Sequence, residues 1–74
     1  MQVTVKLFAS FRTDRTPIAT REYPPGTTVA DVVAQQQIPV AEIGNMLINS
    51  RHVKLDRELN DGDVLAIFPL LGGG

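Results

Sequence analysis

The sequence predicts an α+β fold of two layers, with one main helix laid over a mixed sheet of four to five strands. Three stretches predict it. Val3, Val5 and Leu7 alternate with polar neighbours, Val29, Val32 and Val33 share one helical face, and Val64-Leu65-Ala66-Ile67-Phe68 is continuously apolar. With 74 residues the chain makes one domain, residues 1–74, near the lower size limit for folding without staples. It holds no Cys, which excludes a disulfide framework, a thiolate metal site and a cysteine nucleophile. Packing must therefore supply the stability.

Residues 2–8 alternate with period 2 and are rich in β-branched side chains, so they read as a half-buried first strand. Phe8 and Phe11 follow the general tendency of aromatics to be inside, and burial is expected of both, over a place on an edge or a partner-facing surface. Ala9 to Pro17 is polar and turn-like and forms the first loop. Ile18 to Tyr23 is a short second strand hairpinned to the first, ended by Pro24-Pro25-Gly26, because proline lacks the N–H that a ladder needs.

Thr28 is a good N-cap, and Asp31 three residues later supplies the acidic half of a capping box, so the helix begins near Val29. Gln35-Gln36-Gln37 reads as a solvated face or helix end before Ile38 and Pro39. Pro39 to Gly44 is either a short helical turn or an irregular link. Met46-Leu47-Ile48 and Arg51 to Leu55 form a hairpin across Asn49-Ser50, since Asn tolerates left-handed backbone. Leu59 anchors a polar connection, and Asp61-Gly62-Asp63 is a turn signal, a simpler reading for its two carboxylates than an acid and base pair. Val64 to Phe68 is a strand buried on both faces or lying mid-sheet. A sheet with its first and last strands parallel at the centre fits this order, and the carboxyl end then leaves from mid-sheet.

Function classes narrow on charge and hydropathy. Lys+Arg 7 against Asp+Glu 8 gives a formal net charge of −1, which supplies no global field for nucleic acid or an anionic membrane. No apolar run approaches the ~18 residues a membrane span requires, and the start of the chain alternates where a signal peptide would have an apolar core. A cytoplasmic protein with no nucleic-acid or membrane partner is expected. Arg51, Lys54 and Arg57 surround His52, a solvated cluster or a local steering patch, and a single His makes a poor metal site or general base. So few chemistry-bearing side chains suit a carrier or binding module better than an enzyme.

The stretch from Phe68 to Gly74 carries most of the functional expectation. Gly72, Gly73 and Gly74 have no Cβ, so they can thread a narrow channel and place a carboxylate deep in another protein. The alternative is a frayed end without a role. Pro69 limits the freedom of the exit, while Leu70 and Leu71 either dock on a partner or fold back over the sheet edge.

Val5-Lys6-Leu7-Phe8-Ala9, Gly26-Thr27-Thr28-Val29-Ala30-Asp31-Val32-Val33, Leu47-Ile48-Asn49-Ser50-Arg51-His52-Val53 and Leu59-Asn60-Asp61-Gly62-Asp63-Val64-Leu65-Ala66-Ile67-Phe68-Pro69 occur in this order ahead of the glycines. Together they resemble the ubiquitin-like β-grasp sulfur carriers of the MoaD/ThiS family over nearly the full chain. The resemblance implies a β-grasp body with residues 70–74 as a flexible tail. It also implies that the chain is a substrate and not an enzyme. An ATP-using, ubiquitin-activating-enzyme-like adenylyltransferase would activate the carboxylate of Gly74, beside Gly73. A sulfur donor would convert it to a thiocarboxylate, and the large catalytic subunit of a cofactor-synthesising enzyme would receive the sulfur. Phe68, Pro69, Leu70, Leu71 and Gly72 would meet these partners, and no cofactor would be bound by the chain itself. Family members commonly end in two glycines, so the third leaves Gly74 or a trimmed Gly73 as the bearer of sulfur. Ile67-Phe68-Pro69 and Phe8-Ala9 look more like the molybdopterin synthase small subunit than the thiamine carrier. A ubiquitin-like protein modifier and a non-catalytic β-grasp interaction domain are the other readings.

Overall fold

A computed structural model of the chain describes residues 1–70. Alternation in the first strand has the predicted effect: β1 (Gln2–Leu7) buries Val3, Val5 and Leu7 and turns Thr4 and Lys6 to the other side. β2 (Ile18–Glu22) pairs antiparallel with it. The loop between them is more ordered than its polarity suggests. It opens with a 3₁₀ turn, Ala9–Arg12, which puts Phe11 in the core.

Helix α1 (Val29–Gln35) starts as its sequence predicts. The Thr28 hydroxyl accepts from the Asp31 N–H at 3.3 Å, and the Asp31 carboxylate accepts from the Thr28 N–H at 2.9 Å. Two more of the helix's first N–H groups, of Val29 and Ala30, donate to the carbonyls of Arg57 and Leu55. The helix ends in a Schellman motif. Gln37 takes φ of 56°, its N–H donates to the Ala34 carbonyl, and the Ile38 N–H donates to that of Val33. The Arg15 guanidinium then donates to the carbonyls of Gln36 and Gln37, tying the first loop to this helix end.

A short 3₁₀ turn at Val40–Glu42 resolves the link after Pro39 and leads into β3 (Ile43–Ile48), three residues earlier than its apolar run predicts. Asn49 and Ser50, at φ 50° and 70°, turn the hairpin as a type I′ turn does. The return strand β4 is only Arg51–His52, shorter than the alternation through Leu55 suggests. Leu59 reaches the core, and Gly62 at φ +86° makes the turn into β5 (Val64–Pro69).

The sheet has five strands in the order β2-β1-β5-β3-β4. β5 lies in the middle, parallel to β1 and antiparallel to β3, as the chain order predicts. Its burial on both faces is not found. Leu65, Ile67 and Pro69 are buried, whereas Val64, Ala66 and Phe68 are half-buried, because the one helix covers a single face. The core joins these residues to Val3, Val5, Leu7, Ile48 and the valines of α1. No helix among the described residues is long and apolar enough to cross a membrane.

Candidate functional site

Strand parity divides the sheet into a covered face and an open one. Cross-strand pairs place Thr4 beside Val64, Lys6 beside Ala66, and Leu47 beside Ala66 and His52, all on the side away from α1. Lys6, Phe8, Leu47, Val64, Ala66 and Phe68, with the Asn49-Ser50 turn, line a shallow groove of about 440 Å³ on this face. Near the end where β5 leaves the sheet, the rings of Phe8 and Phe68 stack with centroids 4.1 Å apart and planes 11° from parallel.

Burial of both phenylalanines was the expectation, and it holds only for Phe11. Phe8 follows Thr4 and Lys6 in register, so it falls outside the core and against Phe68. Parity, read through residue 8, was the signal that the general tendency of aromatics obscured. Lys6, Leu47, Val64 and Ala66 were missed for a related reason: only pairing between strands distant in sequence gathers them.

The groove ends where the chain leaves the sheet. Pro69 is buried opposite Ile43, and the next residue, Leu70, is 60 % exposed. Its N–H still donates to the Glu42 carbonyl at 2.9 Å. Leu70 therefore does not fold back over the sheet edge; it stands at the exit with its side chain in solvent. Leu71, Gly72, Gly73 and Gly74 lie outside the described residues.

The remaining candidates read as structure. Asp63 is buried, accepting from the Asn60 N–H at 2.8 Å and the Asn49 amide at 3.2 Å, while Asp61 accepts from the Gln2 N–H at 2.7 Å. These carboxylates lock the turn into β5. Arg51, His52, Lys54 and Arg57 are all exposed, and no cluster of metal-ligating side chains occurs among the described residues. Tyr23 is buried, and its hydroxyl finds no hydrogen-bond partner among the described residues. Burial pushes its pKa up, partly offset by the Arg21 charge.

Comparisons with known proteins agree with this architecture. The chain is similar to a structure described as molybdopterin converting factor subunit 1 from Pyrococcus furiosus, at 29% identity and a TM-score of 0.78 over 96% of this chain and 99% of that one. SAMP1 from Haloferax volcanii shares the fold, with 23% identity and a TM-score of 0.77 over the whole of both chains. So does a chain in a complex of subunits 1 and 2 of the molybdopterin-converting factor from Helicobacter pylori, with 20% identity and a TM-score of 0.67 over the whole of both. A sequence comparison with curated proteins gives no match. The model of the ThiS family matches residues 5–74, and the chain belongs to that family of ubiquitin-like sulfur carriers.

Proposed function

We propose that this chain carries sulfur on the carboxylate of Gly74, with Gly73 beside it, and delivers it to a large catalytic subunit that builds a molybdopterin-type cofactor. The observation that carries the reading is the exit of the central strand β5 at Leu70, beside an open apolar face and directly ahead of Leu71-Gly72-Gly73-Gly74. The body docks through Phe8, Leu47, Ala66 and Phe68, Leu70 and Leu71 extend the contact, and the glycines enter a narrow site.

A carboxylate is a poor electrophile. One of its oxygens attacks the α-phosphorus of ATP on an activating partner, pyrophosphate leaves, and the carbon becomes an acyl-adenylate. Hydrosulfide released by a donor protein then attacks that carbon, forming a C–S bond as the C–O bond to AMP breaks, which leaves a thiocarboxylate and AMP. ATP belongs to the activating partner. This chain supplies the reacting carboxylate and no catalytic side chain, and the chemistry takes place in the cytoplasm. Ile67-Phe68-Pro69 and the likeness to the Pyrococcus furiosus protein favour the molybdopterin branch over the thiamine one.

The fold shared with SAMP1 supports a second reading, a protein modifier whose carboxylate is joined to a lysine. Intact-mass measurement after co-expression with activating enzyme and sulfur donor separates the two. Replacement of one oxygen by sulfur, abolished by removing Gly73 and Gly74, is expected of the carrier. Conjugates on other proteins without any sulfur-bearing species would establish the modifier instead.

A further inference from the structure

The geometry points to Gly44 as a positioning residue that sets the direction in which the carboxylate arm leaves the sheet. This rests on the carrier reading and adds to it a residue outside both the docking face and the tail.

Gly44 sits in a β-bulge. Ile43 faces Pro69 and Asn45 faces Phe68, so Gly44 is an extra residue with no opposite number on β5. A Cβ built there would lie 2.7 Å from the Pro69 carbonyl oxygen, 3.0 Å from its carbon and 3.2 Å from the Leu70 Cα. All three are backbone atoms, so the Pro69–Leu70 peptide itself would have to shift. Gly26 and Gly62 differ: they have positive φ and open space around the Cβ position. What position 44 requires is the missing Cβ, and what uses the space is the peptide through which β5 becomes the exit.

That peptide is held twice. Its carbonyl packs against Gly44, and its N–H donates to the Glu42 carbonyl at 2.9 Å. Proline has no N–H, so Leu70 supplies the first donor at the end of the strand. The four residues that follow reach at most about 13 Å. With so short a reach, the position of the root limits how far the carboxylate can enter a partner's site, and misplacements near 1 Å already cost reactions on the order of 100-fold.

Gly44→Ala tests this in the full chain. Amide exchange at Leu70 is expected to speed up at least tenfold while Val5 and Leu65 keep their protection. With an activating enzyme and ATP, pyrophosphate release is expected to show kcat at least tenfold lower and KM within about threefold, because the docking face is untouched. A second pair of variants does not depend on Gly44→Ala folding. Leu70→Pro and Leu70→Ala both lose the side chain and share whatever rise in KM that brings, but only the first loses the N–H, so kcat of Leu70→Pro should fall at least tenfold below that of Leu70→Ala. Unchanged exchange at Leu70 in a folded Gly44→Ala overturns the role of Gly44. So does faster exchange with kcat as in the unaltered chain, or a rise confined to KM. If the unaltered chain releases no pyrophosphate, the carrier reading falls, and this role falls with it.

Discussion

The two faces of the sheet share the same five strands and differ in nearly everything else. On the covered face Leu65 and Ile67 are fully buried beside Val3 and Val5, against the valines of α1. On the open face their immediate neighbours Val64, Ala66 and Phe68 remain half-buried around the Phe8–Phe68 stack, though they are just as apolar. Composition does not separate the two; cover does. The lesson is that β5 carries two apolar surfaces, one spent on folding and the other still available to a partner.

The largest effect that tests this division is on the covered face. Leu65→Ala should lower unfolding free energy by about 2–5 kcal/mol, because the tightly packed cavity cannot fully collapse. Urea denaturation measures it. A loss below about 1 kcal/mol would mean that Leu65 is not part of a tight core. On the open face, Leu47→Glu should change stability by no more than about 1 kcal/mol. It should still weaken association with an activating enzyme at least tenfold, read by titration calorimetry. Equal binding would break the division, since the groove would then dock nothing.

The smallest effect concerns a polar atom in the buried layer. Tyr23→Phe removes a hydroxyl that has no partner among the described residues, so stability at neutral pH should be unchanged or higher by up to about 1 kcal/mol. The phenol's folded-state pKa lies above the ordinary value. Its preference for the neutral form is therefore undisturbed below about pH 10. As pH rises past that point towards the raised folded-state pKa, the native state loses stability. Tyr23→Phe should show less of this alkaline loss in thermal melts across pH 9 to 12, roughly the range that brackets a phenol's titration.

What the sequence revealed was local, and what it hid was relational. Thr28 and Asp31 announced their capping box, Asn49-Ser50 its turn and Gly62 its bend, because each acts within a few residues. The central place of β5 was legible from apolar continuity and chain order. Of the two readings of its apolar run, burial on both faces or a place in mid-sheet, the second holds, since one helix cannot cover both faces. The early start of β3 at Ile43 was hidden because Gly44 and Asn45 look like loop residues. They are strand only because β5 lies beside them. The same blindness concealed the groove on the open face, whose members come from three strands, and the peptide contact at Gly44. No spacing rule in a single chain reports that a glycine is needed by a residue twenty-five positions later.

The place of β5 has one more consequence, in the order of folding. β1 is made first and its parallel partner last, so Thr4 meets Val64 only after nearly the whole chain exists. Contacts of such long sequence separation slow folding, since a large loop must close before they form. A growing chain thus lacks its middle strand until residue 69 has emerged, and the covered and open faces come into being in one step. A chain cut short before β5 has no groove to offer. A partner that recognises the groove would therefore ignore chains that lack β5, with no separate sensor of folding.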